Sequence, residues 1–167
     1  MQKTTKADEN VYFSARIRAA KYNDQLNSRE SAAQVVCIER TRLANIELGN
    51  IVPHPEEVNL MASSYNAPEL VNYFCSGECP LGRGRVDRLE PRNLESAALK
   101  IDRLTRNIDD IARGISDIAE DGKITEEGRP SFNACIQRLL ALKKSIEELV
   151  LVAEESGAED GGKGNEG

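Results

Sequence analysis

Aromatic residues are scarce in this chain: Phe and Tyr make up 4% of its 167 residues, and tryptophan is absent. Hydrophobic residues as a whole reach 40%, with Leu, Ile and Ala prominent among them. This composition favours helical bundles over β-sandwiches, whose strands are enriched in aromatic and β-branched residues. The length permits one large domain or two small ones. We predict an all-α protein made of two small units.

Residue combinations typical of catalysis are also missing. His54 is the single histidine, and the sequence contains neither a Ser-His-Asp signature nor a glycine-rich phosphate-binding loop. The paired acidic residues fall on the polar sides of predicted helices, where solvent surrounds them. We therefore predict that the protein is not an enzyme and has no cofactor.

Long hydrophobic runs are absent as well. No apolar run approaches the ~20 residues that a membrane-spanning helix requires. The first ten residues, MQKTTKADEN, are polar and do not resemble a signal peptide. We therefore expect a cytoplasmic protein with no membrane partner.

Cysteines number four and follow no regular framework, which in a reducing compartment indicates free thiols. Cys75 and Cys79 lie close enough in sequence to share a zinc ion with His54 or Cys37, or to form a redox pair. Three residues between two cysteines is unusual spacing for a structural zinc site. We predict no metal, and a thiol sensor stays open as an alternative.

Positive charge is not in excess either: the net charge is −6. Residues 1–90 contain eleven basic and twelve acidic side chains, and residues 91–167 contain eleven and sixteen. Because DNA repels an acidic protein at long range, any contact with DNA requires a local basic face and should be strongly salt-sensitive.

Apolar periodicity and capping residues predict five helices within residues 8–76. Ser28 is a good N-cap for the second helix, and Gly49 suits a left-handed cap after the third. The five predicted helices are Asn10–Tyr22, Arg29–Val36, Glu39–Leu48, Pro55–Tyr65 and Pro68–Phe74.

Residues 77–92 are rich in Gly, Pro and Arg and are predicted to form a linker. Residues 93–156 then contain two runs of heptad repeats around a turn at 121–123, which predict a long antiparallel helical hairpin. The closing residues 157–167 are predicted to be disordered. The apolar positions of the two runs are Leu94, Ala97, Ile101, Leu104, Ile108, Ile111, Ile115 and Ile118, then Phe132, Cys135, Leu139, Leu142, Ile146, Leu149 and Ala153.

An isolated two-helix hairpin cannot cover an apolar stripe as wide as this one. We therefore predict that residues 93–156 form a homodimer by packing into a four-helix bundle. The alternative is that the two helices pack only on each other.

The segment from Ser28 to Pro53 has the order of a helix-turn-helix, with Arg40, Thr41, Arg42 and Asn45 near the start of its second helix. It opens with Ser-polar-Glu-x-Ala-Ala and continues as Ile-x-Arg-x-x-Leu-x-x-Ile-Glu-x-Gly, followed by Pro-x-Pro-Glu-Glu-Val-x-x-Met-Ala.

These motifs resemble the lambda-repressor-like, or Xre-type, helix-turn-helix DNA-binding family over residues 10–73. The resemblance implies a five-helix bundle that binds duplex DNA. The family commonly has Gly at the turn where this chain has Cys37, and Gln where it has Arg29.

The resemblance also assigns roles to individual side chains. Arg40, Thr41 and Asn45 are implied to contact bases, since Arg pairs with guanine and Asn with adenine in the major groove. The implied phosphate contacts are Ser28, Arg29 and Arg42. The implied structural supports of the recognition helix are Glu47 and Gly49, with Arg16 or Arg18 as the expected partner of Glu47.

The sequence thus predicts a DNA-binding transcriptional regulator, homodimeric through residues 93–156 and acting on a palindromic operator. The alternative is a protein-interaction adaptor or an antitoxin-like accessory protein of a mobile element, in which the hairpin binds another chain. A helix-turn-helix that serves only as a scaffold is a third interpretation.

Overall fold

The computed structural model describes residues 10–90, 93–119 and 122–160. Over these residues all regular structure is helical and no strand occurs, which confirms the all-α prediction. The chain divides into two compact units, the first extending to Arg88 and the second comprising Leu89–Ser156. No helix in the described ranges is both long and apolar enough to cross a membrane.

From residue 10 onward, the first unit contains five α-helices in the predicted order. Pro55 at the first position of α4 and Gly49 after α3 mark boundaries that local sequence determines well. The bounds are α1 Val11–Ala19, α2 Arg29–Val35, α3 Arg40–Glu47, α4 Pro55–Tyr65 and α5 Glu69–Tyr73, with a 3-10 turn at Asp24–Leu26 and a π-helical turn at Phe74–Glu78.

The predicted end of the first helix at Tyr22 is wrong. The helix stops at Ala19 and a turn follows, in which Tyr22 is 87% exposed. Helix α3 is shorter than predicted by one residue at each end, because Glu39 and Leu48 are its caps.

The core of this unit is formed by one buried face from each helix. Leu43 and Ile46 of α3 are buried as predicted, and so are Val58, Met61 and Ala62 of α4. These side chains meet Tyr12, Leu26, Val36, Leu70 and Phe74 in one cluster.

A buried carboxylate links three of these helices. Glu47 of α3 is 0% exposed and binds Arg16 of α1 twice, with Nε–Oε1 and Nη2–Oε2 distances of 2.6 and 3.1 Å. Arg29 of α2 donates Nε–H to Glu47 Oε2 at 2.6 Å. Arg16, rather than Arg18, is therefore the partner of Glu47, and Arg18 pairs with Glu69 instead.

Part of the segment predicted to be a linker packs on the first unit. The Arg88 guanidinium lies 4.0 Å from the centre of the Tyr73 ring, and Asn72 donates to the Asp87 carbonyl at 2.9 Å. A Cβ on Gly82 would lie 2.0 Å from the carbonyl oxygen of Cys75, so only glycine permits this approach.

The second unit contains α6 Leu94–Thr105, α7 Ile108–Ala119 and α8 Arg129–Asp160. The prediction of one continuous helix from Leu94 is wrong, because the chain turns at residues 106–107. Helix α8 extends to Asp160, into the segment predicted to be disordered, and residues 161–167 lie outside the described ranges.

Two contacts show how helices α6 and α7 meet α8 within the second unit. Lys100 Nζ of α6 lies 2.7 Å from Glu148 Oε2 of α8, and a Cβ on Gly114 of α7 would lie 3.4 Å from Cys135 Sγ of α8. The partner's residue number on α8 therefore decreases as the residue number on α6 and α7 increases.

The heptad pattern does not predict burial in the second half of α8. Ser145 and Glu148 are buried there, whereas Ile146 is 47% exposed and Val150 is 49% exposed. Ile146 belongs to the predicted apolar stripe and is exposed. Residues 146 and 150 lie on the same face of α8, one turn apart.

We predict that Glu47→Gln lowers the free energy of unfolding by about 3–5 kcal/mol, because it leaves Arg16 charged, buried and without its carboxylate. Urea unfolding followed by circular dichroism measures the change. Arg18→Ala is the control, since its side chain is 58% exposed and its pair with Glu69 should contribute less than about 1 kcal/mol. Equal losses in the two variants would contradict the prediction.

Candidate nucleic-acid interface

The connection between α2 and α3 is a tight turn at residues 36–39. Cys37 adopts a φ of +52°, in the left-handed region that L-residues disfavour. The next residue, Ile38, is buried and donates its N–H to the Ala33 carbonyl at 3.1 Å, which closes the end of α2. The turn thus has the backbone conformation that glycine adopts most readily, with cysteine in its place.

Glu39 caps the start of α3. Its carboxylate accepts a hydrogen bond from the Arg42 backbone N–H at 2.8 Å. Hydrogen bonds from the backbone of Thr41 and then of Arg42 hold the pKa of this carboxyl below its usual value. Glu39 therefore stays ionised near neutral pH and compensates the positive end of the helix dipole.

Of the three residues predicted to contact bases, Arg40 and Thr41 are exposed and Asn45 is half-buried. At about 100° per residue, positions 41 and 45 lie about 40° apart around the helix, whereas position 40 lies about 100° from position 41 and close to the direction of position 47. Leu43, Ile46 and Glu47 are buried, and Arg40 is exposed at the first position of α3. Ala44 is half-buried, and its methyl side chain lies between positions 40 and 41 around the helix.

Arg40 and Asn45 differ in how firmly they are held. Within the described residues the Arg40 guanidinium donates no hydrogen bond, and the residue is exposed. Asn45 is half-buried, and its Oδ1 accepts a hydrogen bond from Asn50 Nδ2 at 3.2 Å.

Arg42, predicted to contact phosphate, binds Glu57 of α4. Its Nη2 lies 2.8 Å from Glu57 Oε2, and Nε binds the other carboxylate oxygen. Arg42 is the main cause of a lowered pKa for Glu57, which also accepts the His54 backbone N–H at 2.6 Å. The pair ties α3 to α4 and leaves a third of the Arg42 side chain exposed.

Arg29, also predicted to contact phosphate, is oriented from two sides. Its Nε binds Glu47, and its guanidinium carbon lies 5.8 Å from the centre of the Phe13 ring. About a third of the side chain, 32%, remains exposed. Ser28 is the N-cap of α2, as predicted, and accepts the Ser31 N–H at 3.1 Å.

The end of α3 is fixed by a neighbouring residue and by a distant one. Gly49 has a φ of +67°, and Asn50 N–H then returns to the Asn45 carbonyl at 2.9 Å. Asn10, the N-cap of α1, donates Nδ2–H to the Ile46 carbonyl at 2.9 Å. Sequence reasoning did not identify the roles of Asn10 and Glu57, because no local pattern links them to α3, and it missed Asn50 although a C-cap glycine precedes it.

The thiols show no arrangement for a metal. Cys37 is exposed, and Cys75, Cys79 and Cys135 are half-buried and unpaired. Across the described ranges, no three His, Cys, Asp or Glu side chains are grouped so that they could hold an ion.

We predict that Cys37→Gly raises the free energy of unfolding. Removing Cβ relieves about 1–2 kcal/mol of left-handed strain, which exceeds the roughly 0.5–1 kcal/mol contributed by the greater freedom of glycine in the unfolded chain. Urea unfolding measures the difference. Cys37→Ala, which keeps Cβ, is the control and should give no increase. A glycine variant less stable than the alanine variant would show that the turn is unstrained.

The chain was compared with protein-family models, with curated protein sequences and with solved structures, and none of them matches it. Function must therefore be inferred from the side chains on the exposed face of α3 and from those that hold this helix in place.

Proposed function

We propose that this protein is a sequence-specific, duplex-DNA-binding transcriptional regulator that acts as a homodimer. One observation carries the proposal: a tight turn joins α2 to α3, and α3 begins with the exposed side chains of Arg40 and Thr41, with half-buried Asn45 one turn after Thr41. A helix presented in this way fits the major groove, which is about 12 Å wide.

The side chains on this face suit base edges of different kinds. Arg40 can donate two hydrogen bonds to guanine O6 and N7, and Asn45 can pair with adenine N6 and N7. Thr41 offers a hydroxyl to either base and a methyl group to thymine. Ala44 supports the proposal because its small side chain lets the helix approach the bases closely.

Arg29, Arg42 and Ser28 flank this face as phosphate contacts in the proposal. Arg29 uses Nε for Glu47, so its two terminal nitrogens remain available to a phosphate. Because Glu47 and Phe13 already orient this guanidinium, little side-chain freedom is lost when it binds. Arg42 is held in the same way by Glu57 and keeps an exposed portion.

The charge balance favours a dimer over a monomer. Residues 10–88 contain nine basic and nine acidic side chains, so one copy has no general attraction for DNA. In a dimer, the two copies can bind half-sites about 34 Å apart on a palindromic operator. Binding of the first copy holds the second close to its half-site, which raises the overall affinity.

In this proposal residues 8–76 are a five-helix helix-turn-helix domain, and residues 93–156 are an antiparallel hairpin that dimerises. Ile146 and Val150 support dimerisation, since they form an exposed apolar face on α8. The proposed location is the cytoplasm.

The second candidate function is a protein-interaction adaptor whose hairpin binds a different chain. Leu94 and Leu99, which are 60% and 72% exposed on α6, favour it because an apolar surface of this kind also suits a foreign partner.

The first experiment selects bound duplexes from a random pool at moderate and at high salt and sequences them. We expect an enriched inverted repeat. Arg40→Ala should then weaken binding to the selected duplex by about tenfold to a hundredfold, because two hydrogen bonds to a base are lost.

Arg106→Ala is the matched control for charge, since this arginine lies in the second unit with 72% of its side chain exposed. Its affinity should stay near that of the wild type. Equal losses in both variants would indicate non-specific attraction to phosphate. Binding without sequence preference that disappears at high salt would overturn the proposal.

The double variant Ile146→Glu, Val150→Glu should convert a dimer into a monomer, because four added charges would have to be buried in the interface. Sedimentation equilibrium measures the mass. Gln137→Glu is the control, since residue 137 is exposed on the opposite side of α8 from residue 146. A wild-type chain that is monomeric at micromolar concentration would contradict the homodimer and favour the adaptor.

A further inference from the structure

Residues 79–88, part of the predicted linker, fold into turns against the end of the first unit. The Cys79 N–H binds the Phe74 carbonyl at 2.8 Å, and the Arg85 N–H binds the Gly82 carbonyl at 2.8 Å. These backbone hydrogen bonds give the segment a defined conformation. The side chains that it presents therefore have defined starting points on the first unit.

Two arginines of this segment bind main-chain carbonyls. Arg83 donates Nε–H to the Gly77 carbonyl at 3.0 Å. Arg88 donates Nη1–H to the Tyr73 carbonyl at 3.1 Å and to Ser76 Oγ at 3.3 Å, with its guanidinium stacked on the Tyr73 ring. Because a carbonyl oxygen can only accept, these contacts orient both guanidinium groups. Arg83 keeps two terminal nitrogens for a ligand, and Arg88 keeps Nε and Nη2.

Gly77 brings the two guanidinium groups close to each other. Its carbonyl binds Arg83, and a Cβ at this position would lie 3.6 Å from Arg88 Nη1. Arg83 Nε and Arg88 Nη1 are therefore no more than about 10 Å apart. Both arginines are exposed, and neither forms an ion pair within the described residues. The neighbouring Glu78 accepts the Tyr12 hydroxyl at 2.6 Å. An anion between the two cations would relieve their repulsion.

The same segment supplies positive charge that the rest of the unit lacks. Residues 10–78 contain six basic and eight acidic side chains, whereas residues 79–88 contain three basic and one acidic. An acidic protein that contacts DNA needs such a local basic surface.

The first turn of α1 links this segment to the end of α3. Asn10 donates to the Ile46 carbonyl near the end of α3, and two residues later Tyr12 donates to Glu78, which directly precedes the segment. The arginines thus belong to the side of the unit where α3 ends. A duplex that contacts α3 extends past that end.

We infer that Arg83 and Arg88 form a second phosphate-binding site, which takes the backbone of the duplex beside the bases that α3 contacts. The inference rests on the proposed function, since it names a further contact with the same DNA. Paired guanidinium groups suit this ligand because each can bind two phosphate oxygens at once.

The test measures binding to the selected duplex over a range of salt concentrations by fluorescence anisotropy. In the double variant Arg83→Gln, Arg88→Gln, the slope of log affinity against log salt should decrease in magnitude by about 2, because two phosphate contacts are lost. Affinity at low salt should fall by about tenfold to a hundredfold. The selected sequence should not change, since phosphates carry no base identity.

Two further variants are the controls. Arg103→Gln, Arg138→Gln removes the same number of exposed charges from the second unit and should keep the wild-type slope. Arg83→Lys, Arg88→Lys keeps both charges in place and should also stay near the wild-type slope. A slope that falls as far with lysine as with glutamine would overturn the inference, because charge would not be the cause.

Neutral methylphosphonate linkages, placed one at a time in the duplex, locate the contact. At one or two linkages, neutralisation should weaken binding of the wild type and leave the Arg83→Gln, Arg88→Gln variant unaffected. If every linkage affects the two proteins equally, the inference is wrong.

The outcomes separate the inference from the proposed function. An unchanged slope in Arg83→Gln, Arg88→Gln, or an equal decrease in the control pair from the second unit, overturns the inference and leaves sequence-specific binding intact. A wild type that selects no sequence, while the double variant still loses slope, overturns the proposed function and leaves the phosphate site. A wild type that binds no duplex overturns both.

Discussion

The first unit depends on the buried carboxylate of Glu47. A charge with no exposure is tolerated only when it is fully paired, and here two arginines from two other helices provide the partners. Arg16 also donates to the Leu26 carbonyl at 2.7 Å, so the same network fixes the 3-10 turn before α2. The orientation of α3 therefore depends on α1 and α2 at once, and the exposed face of α3 inherits that rigidity.

The proposed DNA contacts lie between two such constraints. Glu47 orients Arg29 from the core, and Glu57 orients Arg42 from α4. Arg40, on the exposed side of the same helix, has no partner of this kind among the described residues. The structure thus holds two arginines by ion pairs and leaves a third, at the start of α3, without one. Acidic side chains so close to a proposed phosphate contact cost some long-range attraction to DNA and supply orientation instead.

Much of the first unit was predictable because its signals are local. Ser28, Gly49 and Pro55 each mark a helix boundary within a few residues of themselves. The pairing of Arg42 with Glu57 was not predictable, since it joins two helices across a loop. In the second unit the heptad repeat continues through the turn at 106–107, so the sequence pattern does not indicate that the helix is interrupted there. Glu148 is buried because it pairs with Lys100, and a partner 48 residues away cannot be predicted from a repeat pattern.

Different residues of α3 contribute to the core and to the surface. Leu43, Ile46 and Glu47 contribute to folding, whereas Arg40, Thr41 and Asn45 contribute little to the core. Mutations at the exposed positions are therefore nearly neutral for stability, and natural selection can act on them independently of the fold. After a gene duplication, two copies of this chain could diverge in the surface that α3 presents through single-codon changes while both remain folded.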